Sequence, residues 1–321
     1  MTEQGQAPEP TGQVSDAVKG NWVDHWAPVR LRPYFRLARL DRPIGTWLLL
    51  LPCWWAIALA ALKSGHFGLY ELWIGIGCAI GATLMRGAGC TWNDITDRNI
   101  DGKVERTRSR PIPSGQVSTK QAAVWMILQC LVSLGILLTF NRAAIALGFL
   151  SLLPVAIYPF AKRFTWWPQV FLGIAFNWGA LLAWAAVEGS IGIEAILMYI
   201  AGIFWTLFYD TIYAHQDRED DALIGVKSTA RLFGEQTPAW LRRFLILTIL
   251  FLGAATLLAT IGLSVLELVI ALCGVWAMGW HLMWQLVKFD PDNNTTLLML
   301  FRSNRDAGLI PVLFFAGAIL V

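Results

Sequence analysis

Ile74-Gly-Ile-Gly-Cys-Ala-Ile-Gly-Ala-Thr-Leu-Met-Arg86-Gly-Ala-Gly-Cys-Thr-Trp-Asn93-Asp94-Ile-Thr-Asp97-Arg-Asn-Ile-Asp101 is the stretch on which the fold turns. It starts as an apolar block and ends as an acidic cluster. A run of ~20 mostly apolar residues is long enough to cross a bilayer as a helix, and carboxylates at the edge of a bilayer are costly enough to mark function. Asn93, Asp97 and Asp101 recur four residues apart, which puts them on one helical face. A second cluster, Asp217-Arg-Glu-Asp220-Asp221, follows another apolar block. Asp217 and Asp221 repeat the four-residue spacing, and Asp210 lies seven residues earlier on the same stripe.

Working outward, the 321 residues are 56% hydrophobic and only 15% charged, with 17 tryptophans. A soluble domain of this size carries more charge. The apolar residues fall in long blocks at about 44–62, 69–90, 121–140, 143–160, 167–187, 191–213, 244–262, 264–287 and 306–321. The expectation is an all-α, polytopic membrane protein of about nine transmembrane helices. Residues 30–321 form a single transmembrane domain in this reading, and residues 1–29 a flexible polar tail without the apolar core of a cleavable signal peptide. The segment from Arg30 to Leu40, basic and apolar by turns, reads as an amphipathic lead-in at the membrane surface.

Of the 25 Lys and Arg residues, 22 fall on the side of the N-terminus and the even loops, two (Lys63 and Arg142) on the other, and Arg86 lies inside the second span. The positive-inside rule puts the N-terminus and both acidic clusters on the cytoplasmic side. The net charge of +3 is thus spent on topology, with no nucleic-acid partner expected. Cys53, Cys78, Cys90, Cys130 and Cys273 contain no Cys-x-x-Cys pair and read as small buried hydrophobes. His215 stands near the second cluster without a ligand-spaced partner. Gly77 and Gly81 fit a close helix-packing pair better than a nucleotide fingerprint, because no strand precedes them.

Mg2+ prefers oxygen ligands and is held by a few carboxylates together with substrate phosphate and water. Two facing carboxylate stripes would suit a diphosphate bridged by Mg2+; solvated helix ends are the bland alternative. Cations follow each cluster. Arg106-Thr-Arg108-Ser-Arg110-Pro-Ile-Pro-Ser-Gly115 reads as a rigid non-helical loop, Gly225-Val-Lys227-Ser228-Thr229 follows the second cluster, and Lys162 and Arg163 come just after Tyr158. Arginine binds phosphate bidentately.

Asp41-Arg42-Pro-Ile-Gly-Thr-Trp47, the Asn93–Asp101 motif, Arg110-Pro-Ile-Pro-Ser-Gly115, Tyr158-Pro-Phe-Ala-Lys162-Arg163 and the run from Tyr209 to Thr229 together resemble the UbiA superfamily of intramembrane aromatic prenyltransferases. The likeness runs from about Leu31 to the C-terminus and is closest to the bacterial branch acting on 4-hydroxybenzoate. It implies a helical bundle around a central cavity in the bacterial inner membrane. It also implies Mg2+-dependent transfer of a polyprenyl group from a polyprenyl diphosphate to 4-hydroxybenzoate in ubiquinone biosynthesis, with membrane lipids and other enzymes of that pathway as partners. By resemblance, Asn93, Asp97, Asp101, Asp217 and Asp221 hold metal. Arg106, Arg110, Tyr158, Lys162 and Lys227 surround the diphosphate, and Asp97, Asp217, Asp221 and Lys162 carry the chemistry. Arg42 and Arg86 are the candidates for the acceptor carboxylate. The chain departs from the family pattern at Asn177 and at Phe301–Arg305, the latter expected in the last loop. A sister activity with another acceptor, and a secondary transporter whose intramembrane carboxylates mark an ion pathway, are the rival readings.

Overall fold

The computed structural model describes residues 17, 20–102, 107–218, 222 and 225–321. Arg106 and Asp221 lie outside the described residues. Among those described, eight helices are long and apolar enough to cross a membrane. Helices satisfy every backbone hydrogen bond internally, so an apolar chain can span only in that form or as a closed barrel. The main helices are α1 (Ile44–Ser64), α2 (Leu69–Asp101), α3 (Thr119–Leu137), α4 (Arg142–Leu150), α5 (Leu152–Phe164), α6 (Pro168–Glu188), α7 (Ile193–Ala214), α8 (Thr237–Ala259), α9 (Val265–Lys288) and α10 (Asn294–Ala318). Helices α4 and α5 break at Ser151 and together make one span, Arg142–Phe164.

The chain divides into two compact units, residues 44–82 with 134–321, and residues 1–43 with 83–133. In the larger, α7 packs on α6 and α8, α1 on α6 and α10, and α9 on α8 and α10. Its core is aromatic, with Trp55, Trp184, Trp205, Phe208, Tyr209 and Phe315 fully buried. Small residues let these helices approach. A Cβ on Gly308 would stand 2.6 Å from Leu51 Cδ1 and 2.8 Å from the Trp205 ring, and the Gly308 carbonyl accepts from Trp55 Nε1 at 2.6 Å. Asn141 joins two helix ends. Its Oδ1 caps α4 by accepting from Ala144 N, and its Nδ2 donates to the carbonyls of Ala185 and Ala186 at the end of α6. Ser264 and Glu267 form a capping box at the start of α9.

Several expectations change here. The last helix begins at Asn294, twelve residues before the expected span at 306, because Asn293 Oδ1 accepts from Thr296 N and starts it. The segment Phe301–Arg305 is therefore helical and belongs to no loop. Its Asn304 is buried and accepts from Trp205 Nε1 at 2.9 Å and Gln285 Nε2 at 3.2 Å, while its Nδ2 donates to Gln285 Oε1 at 3.1 Å. This polar seam lets α10 run through the core, although it falls short of the hydropathy of the eight spans. Asn177, the other departure, donates to the Gly173 carbonyl and to Thr206 Oγ1, both at 2.8 Å. Gly77 packs closely, since a Cβ there would meet the Phe140 ring at 2.9 Å, whereas Gly81 faces open space. Cys53 and Cys78 are buried as expected, but Cys273 is exposed.

The smaller unit has its own apolar centre in Leu37, Val117 and Ala122, packed by Tyr34, Ile95 and Ile112. Within the segment expected as a polar tail, Trp22–His25 is helical, capped by Asn21, with Val23 buried. The lead-in forms the helix Arg32–Leu37. Its basic residues do not all face outward. Arg36 and Arg39 are buried, and each meets an acid, Asp24 at 2.7 Å and Asp94 at 2.6 Å. The surface-lying reading of this segment fails at these two residues, because a buried guanidinium needs a counter-ion.

Candidate active site

In the smaller unit, the acidic stripe occupies the last turns of α2. Asp94, Asp97 and Asp101 are buried and Asn93 is half-buried. At about 100° per residue, positions 93, 94, 97 and 101 share one face, so Asp94 belongs to the stripe. Arg110 ties the stripe together. Its Nη1 donates to Asp101 Oδ2 at 2.8 Å and stands 3.4 Å from Asp94 Oδ1. Asp94 Oδ1 also accepts from Arg39 Nη2 at 2.6 Å.

Residues 107–117 form a series of turns, as the two prolines require. Thr107 Oγ1 donates to the Asp101 carbonyl, Ser114 Oγ to the Arg110 carbonyl, and Val117 N to the Pro111 carbonyl. Gly115 closes it with φ +76°, a conformation natural to glycine. The serine and glycine of this motif thus shape the turn that carries Arg110.

Burial pushes the Asp101 carboxyl above its ordinary range, and Arg110 opposes that shift. Burial also raises Asp41, to about 6, against the pull of Arg39. For Arg39 itself burial acts downward, but Asp94, Cys90 and Asp41 outweigh it and hold the guanidinium above its usual range. Arg42 is buried, with Nε 3.4 Å from Asp41 Oδ1. Arg86 is half-buried and donates from Nη1 to Cys90 Sγ at 3.1 Å, one turn along α2.

In the larger unit, α7 ends at Ala214 and tightens into a 3-10 turn, His215–Asp217, that carries the half-buried Asp217. Asp210 is half-buried on α7. The described residues on either side of the second acidic cluster are anchored to the bundle. His215 Nδ1 bonds the Thr211 carbonyl at 2.8 Å and its Nε2 meets Thr237 Oγ1 at 3.3 Å, so this histidine clasps α7 to α8. At the far end Ser228 caps the short helix Thr229–Phe233. The Thr229 hydroxyl meets Thr211 Oγ1 at 2.7 Å, and Thr229 N donates to Gln169 Oε1. The Lys-Ser-Thr run is therefore one cation followed by two anchoring hydroxyls.

Lys227 and Lys162 come together. Lys227 N donates to the Lys162 carbonyl at 3.3 Å, and the Lys227 ammonium lies 5.9 Å from the Trp166 ring centre. Tyr158 sits one turn before Lys162 on α5, half-buried.

Among the described residues, no three acidic, histidine or cysteine side chains converge to hold a metal unaided. The donors of the first stripe are all oxygens, which fits a hard cation that takes its remaining ligands from substrate and water. Sequence reasoning passed over Arg39, and it quoted Asp94 in the first acidic cluster without giving it a role. Arg39 read as one of several surface arginines, and its partner lies 55 residues away.

The chain matches the UbiA prenyltransferase family over residues 49–305. It is 45% identical over 99% of its length to a protein of Arabidopsis thaliana named 4-hydroxybenzoate polyprenyltransferase, mitochondrial, 76% of which it covers. A protein of the same name from Homo sapiens is 46% identical over 98% of this chain and 81% of its own length. The fold is shared with a UbiA homolog from Archaeoglobus fulgidus bound to GPP and Mg2+, with a TM-score of 0.66 at 18% identity over 90% of this chain and all of that one.

Proposed function

Because the chain belongs to the UbiA prenyltransferase family, we propose that it transfers a polyprenyl group from an allylic polyprenyl diphosphate to the ring carbon ortho to the hydroxyl of 4-hydroxybenzoate, in ubiquinone biosynthesis. The observation that carries this reading is the buried carboxylate stripe at the end of a spanning helix, with two arginines on it. Such a site suits a ligand that brings phosphate and cation together.

On the family resemblance, Asn93, Asp97, Asp101, Asp217 and Asp221 are assigned to Mg2+. When bound, Mg2+ would supply Lewis-acid stabilisation of the charge that develops on the leaving diphosphate. Arg106, Arg110, Tyr158, Lys162 and Lys227 are assigned to the diphosphate by the same resemblance, and the cationic ones would favour breaking the allylic C–O bond. The ring carbon of the acceptor bonds to the freed allylic carbon. The ring proton then leaves, to Asp97 or to the released diphosphate, and aromaticity returns. Arg42 and Arg86 are assigned to the acceptor carboxylate. Apolar helix surfaces hold the isoprenoid tail in the membrane and keep water from the cationic carbon.

A transporter reading expects charged groups near the bilayer midplane. The acidic residues Asp97, Asp101 and Asp217 lie instead at helix ends.

The chain is a multi-pass membrane protein. We place its N-terminus and both acidic stretches on the Lys/Arg-rich side. The expected bacterial inner membrane finds no support, since these relatives are named as mitochondrial. A competition assay with equal 4-hydroxybenzoate, a dihydroxynaphthoate and glycerol phosphate tests the acceptor. Preference for 4-hydroxybenzoate supports the assignment, and preference for either rival replaces it with a sister activity.

A further inference from the structure

Arg39 belongs to none of the motifs assigned above, yet its surroundings constrain it closely. It is buried, donates from Nη2 to Asp94 Oδ1 at 2.6 Å and from Nη1 to the Arg36 carbonyl at 3.0 Å. Its φ of +58° is the one left-handed non-glycine backbone among the described residues. An L-residue stays there only where its surroundings outweigh the steric cost, and both ends of the guanidinium fork are engaged.

The approach of this turn to α2 depends on Gly87. A Cβ there would stand 2.9 Å from the Ala38 Cβ and run into the Gln129 side-chain amide. The backbone before Arg39 thus rests on α2 two turns ahead of Asp94. Asp94 is fully buried, and its Oδ2 takes no hydrogen bond among the described residues. Its Oδ1 faces both Arg39 and Arg110. A buried carboxylate that loses a counter-ion draws hard on any other cation within reach.

We propose that Arg39 is a positioning residue for the diphosphate site: by neutralising Asp94 it leaves Arg110 on Asp101. The inference rests on the function proposed above, which assigns Arg110 and Asp101 to the diphosphate and its metal. Without Arg39, Asp94 captures Arg110, which then leaves Asp101. The guanidinium fork also makes lysine a poor substitute, since a point charge cannot serve Asp94 and the Arg36 carbonyl together.

The test uses full-length protein in nanodiscs and reads Mg2+-dependent binding of inorganic pyrophosphate by calorimetry, beside thermal unfolding. Arg39→Gln and Arg39→Gly should both weaken pyrophosphate binding about tenfold, the scale of one charge-assisted bond. Arg39→Lys should lose less. Arg39→Gln combined with Asp94→Asn should recover to within about threefold of wild type, because no unpaired charge remains to draw Arg110 away.

Glycine tolerates the left-handed backbone, so the Gly variant separates the turn from the charge. Wild-type affinity in Arg39→Gly would overturn the proposal and reduce Arg39 to a backbone support. Failure of the double variant to recover, in protein that unfolds like wild type, would overturn it too. If Arg39→Gln and Arg39→Gly do not fold, Arg39→Lys and the double variant carry the same comparison. Absence of Mg2+-dependent pyrophosphate binding in the wild type would instead bring down the reading of the site, a result distinct from wild-type binding that the variants leave unchanged.

Discussion

Replacing Arg110 by alanine removes the guanidinium that bonds Asp101 Oδ2 at 2.8 Å and stands 3.4 Å from Asp94 Oδ1. The side chain is only 17% exposed, so solvent screens these interactions little. A charge-assisted hydrogen bond in such a setting is worth about 1.5–3 kcal/mol, roughly ten- to 150-fold in an equilibrium. The fold should survive, because Asp94 keeps Arg39 and the backbone bonds that close the loop do not involve the Arg110 side chain.

The assay is steady-state turnover in nanodiscs, with the allylic diphosphate varied at saturating 4-hydroxybenzoate and then the reverse. We expect kcat/KM for the donor to fall by about ten- to 150-fold and KM for the acceptor to stay within about threefold. Arg110→Lys should fall between, since lysine cannot reach both carboxylates at once. Equal losses for donor and acceptor, in protein that elutes and unfolds like wild type, would refute the diphosphate contact.

Asp97→Ala and Asp217→Ala should each abolish turnover while the protein still inserts and purifies; near wild-type turnover at limiting Mg2+ in either would show the metal site misassigned. Asn304→Leu strands Trp205 Nε1 and the Gln285 amide in the core. It should lower stability by about 2–4 kcal/mol in thermal or denaturant unfolding, with Gln285→Leu added in the same chain recovering part of the loss. Asp41 titrates near 6 in the folded chain against an ordinary 3.8. A carboxyl raised in this way contributes stability that is full below about pH 4 and is lost as pH climbs toward about 6, at up to about 1.4 kcal/mol per pH unit. Unfolding temperatures across that window should show the slope, and Asp41→Asn should flatten it.

The spans were legible because a bilayer imposes a length that apolar blocks such as 44–62 and 167–187 declare directly. The acidic stripe was legible for a similar reason, since carboxylates spaced by four at the end of such a block share one helical face where the helix meets water. The beginning of α10 was hidden because its first half is polar. Asn304 reads as a loop residue until Trp205 and Gln285 are seen to satisfy it, 99 and 19 residues away.

Arg39 was hidden in the same way. A basic residue ahead of a span ordinarily marks the interface, and only the three-dimensional pairing with Asp94 removes it from that class. In the Ser228-Thr229 pair the structure shows capping and anchoring, which sequence spacing does not distinguish from ligand contact.

The most direct test of the central claim is product formation by the purified protein in nanodiscs, given radiolabelled 4-hydroxybenzoate, geranyl diphosphate and Mg2+, with and without EDTA. The account predicts a lipophilic labelled product that carries the prenyl group on the ring carbon beside the hydroxyl and disappears with EDTA. Folded protein that makes no such product from 4-hydroxybenzoate, or makes it equally well in EDTA, would contradict it.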